Sequence, residues 1–282
     1  MADTFISSAT STLGQELLVE ANSATVYAAH ENSMFLNGQL IPVLDAPNGL
    51  LKVPKLSKPA ADSVSGGVGD AITADVAVTN PASSDVNIVA DLIAVRSVVR
   101  DLGNIDPREI GRAGGQGVAA GWDATVMGAI GGLTSYDIDA VTDLTMNHVF
   151  DAVSTIRAAG ENGPLAGIVS PDTYTEIMTL IGGAAYAGGD EFQSQVMRSG
   201  FLGRIAGVPF FVSSYFDATN TGLTAPRLAI FGQDAIKIGM QRNVTMEIAR
   251  RPEAVGYDVV TSLMAGVDVV DATRGVILNE EA

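Results

Sequence analysis

The feature that most constrains this chain is the stretch 41–89, which predicts a long hairpin with no core of its own. Its first limb runs through the apolar residues Leu51, Val53 and Leu56. Its second limb, 72–79, alternates apolar and polar residues with the period of two that is typical of strands. The segment between them, 57–70, is rich in Gly, Ser and Ala. A two-stranded ribbon alone is marginally stable in water, so the hairpin needs a surface to lie on. We expect that surface to be another copy of the same protein.

The balance of apolar and charged residues points the same way. Hydrophobic residues make up 47% of the 282 residues and charged residues only 17%, against roughly 25% in an average soluble domain. Since so few charges cannot cover an ordinary monomer, we expect extensive burial between subunits. No apolar run reaches the ~18 residues of a membrane span, and the N-terminus lacks the basic start and apolar stretch of a signal peptide. We therefore expect no membrane partner and a protein that is made and used inside a cell.

The residue types that are scarce exclude several kinds of chemistry. The chain has no cysteine, which excludes disulfides, thiolate metal sites and thiol catalysis. Its two histidines, His30 and His148, lie far apart in the sequence, and a lone histidine is more often structural than catalytic. The net charge is −16, whereas direct nucleic-acid binding requires basic stripes. We expect no enzyme activity, no cofactor, no metal and no sequence-specific nucleic-acid contact, although an acidic shell can still enclose nucleic acid.

Helices are predicted on both sides of the hairpin. Residues 1–40 are typical of an extended arm with a short helix near 13–21. Residues 91–102 have the helical spacing of apolar side chains, and Gly103 follows them as a stop signal.

The next helix has the clearest start signal in the chain. Asp106 is a favourable N-cap, Pro107 suits the first helical position, and Glu109 follows three residues after the cap. The apolar pattern predicts a helix that runs to about Ile130. Within it are six glycines, each costing up to about 1 kcal/mol relative to alanine: Gly111, Gly114, Gly115, Gly117, Gly121 and Gly128. We expect such a helix to be pressed closely against a sheet or a neighbouring backbone.

The second half of the chain alternates helices and strands before it becomes mainly strands. A helical stripe from Met146 to Ile156 ends near Gly160, a short strand covers 167–169, and Ser170 caps a helix that runs to about residue 181. Strands are predicted at 208–212, 228–231, 236–240, 244–249, 257–263, 267–270 and 276–278.

Two motifs suggest chemistry that their context does not favour. Residues 188–192, Gly-Gly-Asp-Glu-Phe, match the signature loop of diguanylate cyclases, but the flanking residues predict a loop and a helix instead of two strands. Residues 111–117 are as rich in glycine as a phosphate-binding loop, yet they lie inside the capped helix and do not follow a strand. Close packing explains the second motif better, and a cyclase-like enzyme remains an alternative for the first.

The order of parts resembles the major capsid proteins of tailed double-stranded DNA bacteriophages, which have the Hong Kong 97-type capsid fold. Residues 203–214 look like that family's glycine, apolar pair, Gly-x-Pro and strand ending in serine. Residues 244–250, followed by 258–260 and 266–270, resemble its pair of strands flanking a turn, and 275–278 its closing strand.

This resemblance implies an α+β fold in five parts. They are an N-terminal arm (1–40), an extended hairpin or E-loop (41–89), a peripheral domain with a spine helix (90–144), an axial domain (145–240), and returning peripheral strands with a closing axial strand (241–282).

The resemblance also implies a function as a shell protein. The chain would assemble with itself into hexamers and pentamers of an icosahedral head that encloses phage double-stranded DNA, formed in the host cytoplasm and found in the virion. Separate scaffolding and portal proteins would be partners, and a decoration protein an optional one. The family has no catalytic site. An encapsulin-like cellular compartment is the main alternative function.

Charge placement adds a prediction that does not depend on the resemblance. Three of the four lysines, Lys52, Lys55 and Lys58, lie on the first limb of the hairpin. They are either residues that blunt a sheet edge or residues that dock on an acidic surface of the adjacent subunit. Candidates for that acidic surface are Asp268, Asp271, Glu280 and Glu281.

Overall fold

A computed structural model describes residues 12–38, 40–56, 83–100, 107–138, 144–182, 204–205, 207–251, 253 and 256–280. Several predictions fall outside these residues: the second limb at 72–79, the segment 57–70, the cap Asp106, the cyclase-like motif at 188–192, Lys58 and Glu281. The structure does not test them.

The helices and strands are numbered in chain order. The helices are α1 (Thr12–Asn32), α2 (Pro107–Ile130), α3 (Met146–Ala158), α4 (Pro171–Gly182) and α5 (Ala218–Thr221). The strands are β1 (Val43–Asp45), β2 (Leu50–Leu56), β3 (Ser83–Val89), β4 (Asp91–Arg100), β5 (Thr134–Ile138), β6 (Leu165–Val169), β7 (Arg204–Ile205), β8 (Val208–Val212), β9 (Pro226–Gly232), β10 (Ile236–Arg251), β11 (Gly256–Val269) and β12 (Gly275–Glu280).

The strands form two main sheets and one ribbon. A four-stranded sheet has the order β1-β10-β11-β4, and a six-stranded sheet has the order β5-β12-β9-β6-β8-β7. The ribbon is the antiparallel pair β2 and β3. The described chain passes from one main sheet to the other three times: through α2 between β4 and β5, and by short connections between β9 and β10 and between β11 and β12. The β9–β10 and β11–β12 connections are adjacent, and a hydrogen bond joins them: the backbone N–H of Val270 donates to the carbonyl of Ala235 at 2.8 Å.

The described part of the chain has two main hydrophobic cores: one contains residues of both main sheets, and the other lies against the six-stranded sheet. Helix α2 lies across the four-stranded sheet, and its Trp122, Val126 and Met127 are fully buried there. Helix α3 covers part of the six-stranded sheet, with Val149 and Ile156 fully buried. A tightly packed core of this kind stabilises each sheet by removing apolar area from water.

The short helix predicted near 13–21 is present but longer, because residues 12–32 form one helix. The prediction of an extended arm is therefore wrong for residues 22–32. Ala21, Ala28 and Ala29 of α1 are buried against α2, so α1 belongs to the folded body of the subunit. Tertiary packing explains the difference, since short helices are stabilised mainly by the face that they bury.

The prediction of a helix at 91–102 is also wrong, because residues 91–100 form strand β4. The strand pairs antiparallel with β11, and Ile93 and Val95 face the core on alternate positions. The segment is rich in β-branched residues, which favour strands when a sheet edge is available to pair with. The apolar residues of this segment fit both the spacing of a helix and the alternation of a strand, so the sequence pattern alone did not distinguish the two.

The prediction for the glycine-rich helix is confirmed. A Cβ on Gly111 would lie 2.3 Å from the carbonyl oxygen of Ala21, and a Cβ on Gly115 2.3 Å from that of Thr25. On the side that faces the sheet, a Cβ on Gly114 would lie 2.3 Å from the hydroxyl of Thr261. Glycine therefore allows α2 to pack between a sheet and the backbone of α1 at distances that no side chain permits.

The other predicted elements that lie in the described residues agree closely with the structure. Ser170 caps α4, because its hydroxyl oxygen accepts from the N–H of Thr173 at 3.1 Å. The predicted strands at 236–240 and 244–249 are one strand, β10, with irregular register between Met240 and Thr245. Those predicted at 257–263 and 267–270 are likewise one strand, β11, apart from its last residue.

Candidate subunit-interaction site

The ribbon of β2 and β3 is attached to the body at its base. Gly239 of β10 and Gly266 of β11 face each other in register, and together they form a notch without side chains. A Cβ on Gly266 would lie 2.0 Å from the carbonyl oxygen of Val89, and one on Gly239 would lie 3.2 Å from the Cβ of Leu51. We call this pair the glycine notch. It fixes the base of the ribbon directly on the backbone of the four-stranded sheet.

The two described lysines of β2 lie on opposite faces of the ribbon. Leu51, Val53 and Lys55 are partly buried and face the body, whereas Lys52 is exposed on the other face. Residues three positions apart on a strand always differ in this way. The structure therefore does not bring Lys52 and Lys55 to one surface, and their role between subunits stays a prediction.

Lys55 has a partner within its own subunit. Its Nζ lies 3.0 Å from Oδ1 of Asp271, whose side chain is only 14% exposed. The same oxygen accepts from the backbone N–H of Thr273 at 3.2 Å and from the hydroxyl of Thr273 at 2.8 Å. Burial acts to raise the pKa of Asp271, but the hydrogen bonds from Thr273 and Lys55 outweigh it, so the pKa lies below its usual value. Asp271 is consequently an ionised acceptor at neutral pH.

Behind Asp271, a network of ion pairs reaches the other main sheet. The guanidinium of Arg274 lies 3.3 Å from Asp271, 3.6 Å from Asp234 and 3.2 Å from Glu161. The side chain of Glu161 is only 6% exposed, and it follows the end of α3. A hydrogen bond and the positive charge of Lys237, together with the charge of Arg274, lower the pKa of Asp234. The network thus joins the ribbon, the β9–β10 and β11–β12 connections and the end of α3.

The other predicted acidic residues have local partners. Asp268 is exposed, and its Oδ1 accepts from the N–H of Val269 at 2.7 Å. Glu280 forms an ion pair with Arg227, which also pairs with Glu176 at 2.8 Å. Neither carboxylate lies against a described lysine of the ribbon, so their proposed contact with the adjacent subunit stays a prediction.

Apolar side chains are exposed along the ribbon and the sheet edge that follows it. Val89 and Leu92 are each 59% exposed, Val98 is 43% exposed and Leu50 is 41% exposed. Among the described strands, β4 is an edge of its sheet, and no described strand pairs with its outer side. Exposed apolar groups beside an open edge are typical of surfaces that contact other protein chains.

Both histidines have local structural roles. Nδ1 of His30 lies 3.2 Å from the side-chain oxygen of Asn37. Nδ1 of His148 accepts from the backbone N–H of Thr145 and closes the first turn of α3. Within the described ranges there is no group of three or more His, Asp or Glu residues placed to hold a metal ion. No helix within the same ranges has the length and apolar character needed to cross a membrane.

Sequence reasoning missed a buried carboxylate in α2. Asp123 is 3% exposed, and it accepts from the hydroxyl of Ser33 at 2.6 Å and from the N–H of Met34 at 3.2 Å. Burial raises its pKa to about 6, against the opposing effect of these two hydrogen bonds. Its one signal in the sequence was an acidic residue between the apolar residues Trp122 and Val126.

Comparisons with solved structures identify the fold. The capsid of the cyanophage P-SCSP1u has a TM-score of 0.67 at 14% identity and covers 89% of this chain and 89% of its own. A chain of Microbacterium phage Oxtober96 has a TM-score of 0.65 at 12% identity, over 89% of this chain and 91% of that one. A virus-like particle from Pyrococcus furiosus has a TM-score of 0.65 at 13% identity, over 94% of this chain and 100% of that one. No family model and no curated protein matches the sequence.

The chain therefore has the Hong Kong 97-type capsid fold, an α+β fold shared by phage capsid proteins. This confirms the resemblance found in the sequence at the level of the fold. The division into arm, E-loop, peripheral domain and axial domain at the predicted boundaries stays a prediction.

Proposed function

We propose that this protein is the major capsid protein of a tailed bacteriophage, assembling into hexamers and pentamers of an icosahedral shell. The observation behind this proposal is the fold, which agrees with a phage capsid structure over 89% of both chains. Fold alone does not specify function. The ribbon and the exposed edge supply independent support, because both are features that a neighbouring copy would cover.

The acidic composition fits a shell that encloses DNA without gripping it. With a net charge of −16, the subunit repels phosphate on average, and packaged double-stranded DNA would lie beside it without base-specific contacts. We propose that the subunit has no enzyme activity and binds no cofactor. Scaffolding and portal proteins are the proposed partners, the virion is the proposed location, and assembly takes place in the host cytoplasm.

A cellular compartment shell is the second candidate. The virus-like particle from Pyrococcus furiosus matches over all of its own length and 94% of this chain, which is more than the phage structures cited above. A shell of that kind would form without a portal and would enclose something other than a phage genome.

Electron microscopy of purified protein tests the proposal. Closed shells or capsomers are expected, whereas a compact monomer at all concentrations and salt conditions would refute a shell function. Nuclease-protected DNA of uniform length in particles from producing cells would favour the phage assignment. Its absence, with a co-purifying protein inside, would favour the compartment.

Removing residues 57–70 tests the role of the hairpin. The shortened subunit should remain folded by circular dichroism, because β2, β3 and both cores are retained, but it should no longer form closed shells. Normal shells from this variant would show that the hairpin is not needed between subunits.

A further inference from the structure

The ribbon is held to its own subunit in two places that differ in kind. At its base, the glycine notch brings the carbonyl of Val89 against Gly266, a backbone contact that cannot open without displacing the strand. Further along β2, the ion pair between Lys55 and Asp271 ties the ribbon to the sheet crossing. The first attachment acts as a fixed pivot, and the second one is reversible.

Opening the ion pair should cost little free energy, because both of its charges keep other partners. Lys55 is 41% exposed, so its ammonium can be hydrated as soon as it leaves. Asp271 keeps both hydrogen bonds from Thr273 and remains 3.3 Å from Arg274, so its carboxylate is not left without partners. Opening therefore avoids the large penalty of leaving a buried charge unpaired.

We propose that the Lys55–Asp271 ion pair is a releasable latch, which holds the ribbon against its own subunit until a neighbouring copy engages it. The free subunit is thereby kept in a form that assembles slowly, and each contact with a neighbour includes opening of the latch. This inference rests on the proposed shell function, since it gives the ribbon a partner in a second copy.

The strength of the latch sets the size of the expected effect. Partly exposed ion pairs are weak, so removing this one should shift the open population by about two- to five-fold. A contact of this strength favours the closed position of the ribbon but still allows it to open. Salt should produce the same shift in the unaltered protein, because exposed charges are screened within about 8 Å at physiological ionic strength.

Hydrogen exchange on unassembled, full-length subunits tests the latch without depending on assembly. Lys55→Gln should raise the exchange rate of the β2 and β3 amides by about two- to five-fold, and Lys55→Arg should restore it. Lys52→Gln is the matched control, because it removes the same charge from the outward face of the same strand. Equal rates in all variants, or an equal rise in both glutamine variants, would overturn the latch.

Light scattering then tests what the latch does in assembly. Lys55→Gln should shorten the lag of shell formation at low salt by a similar factor, whereas Lys52→Gln should not. Slower assembly of Lys55→Gln would overturn the inhibitory role and would assign Lys55 to a contact between subunits. If the unaltered protein forms no shells under any condition, the proposed function fails, while the exchange rates still decide whether the latch exists.

Discussion

Replacing Gly115 with alanine is expected to destabilise the subunit, although alanine is the better helix former. The new Cβ would lie 2.3 Å from the carbonyl oxygen of Thr25 and 3.1 Å from the backbone nitrogen of Ala29. That is about 1 Å short of an ordinary contact, and both opposing atoms belong to helix backbone, which cannot rotate away. Helix α1 must therefore move as a whole.

The expected magnitude follows from two opposing effects. Alanine in a helix interior gains about 1 kcal/mol over glycine. Overpacking typically costs about 1–3 kcal/mol, and a clash between two backbones belongs at the upper end. The net loss should therefore be ~2 kcal/mol, which lowers the melting temperature by roughly 5 °C in a protein of this size.

Gly121→Ala is the matched control, because it changes the same residue type in the same helix. Its Cβ would meet only Cγ2 of Ile93 at 3.3 Å, a side-chain atom on the edge strand that can shift. Its stability should stay within about 1 kcal/mol of wild type. Urea unfolding of free subunits measures both variants. A Gly115→Ala subunit at least as stable as the Gly121→Ala subunit would refute the close backbone contact between α1 and α2.

Three further predictions concern the buried charges and the glycine notch. Because the folded pKa of Asp123 is about 6, above its usual value, its contribution to stability is complete below about pH 4 and is lost as the pH rises through 6. The loss of stability should amount to ~3 kcal/mol. Asp123→Asn should flatten the dependence of urea unfolding on pH between about pH 4 and 6. An unchanged slope would show that the pKa of Asp123 is not raised. Arg274→Ala should lower the free energy of unfolding by ~2 kcal/mol, because it leaves the buried charge of Glu161 without its ion pair. Adding Glu161→Gln should recover part of that stability. A larger loss in the double variant would show that the charge of Glu161 is not the cause. Gly266→Ala should displace the carbonyl of Val89 and raise the hydrogen-exchange rate of the Ala90 amide, which donates to the carbonyl of Gly49 at 2.9 Å. An exchange rate equal to that of wild type would refute the close contact between Val89 and Gly266.

Much of the fold could be predicted where local signals and packing agree. Pro107 and the six glycines of α2 indicated both its start and its close contacts, and both features are present. The strands from β8 to β12 were found because their apolar runs are bounded by turns. By contrast, β4 was assigned to a helix, since the pairing with β11 that decides its conformation lies about 160 residues away.

The candidate site was predicted in part. Lys55 and Asp271 were both named from their charge, and they do meet, although within one subunit. The opposite faces of Lys52 and Lys55 follow from their odd spacing on a strand. The contribution of Arg274 could not be predicted, because its partners Glu161 and Asp234 come from separate elements that only the packed sheets bring together.

The position of α1 has a consequence for synthesis of the chain. The side chain of Asn22 accepts a hydrogen bond from the N–H of Met246 at 3.2 Å, and Thr25 lies against the sulfur of the same methionine. These partners are separated by 224 residues, so at about 5–20 residues per second α1 waits roughly 10–45 s for β10 to leave the ribosome. During that time α1 can pack against α2, but the part of its face that contacts β10 has no partner. A helix that is made early is therefore completed late, and a subunit cut short before β10 keeps that part of α1 open to chaperones or to other unfinished chains.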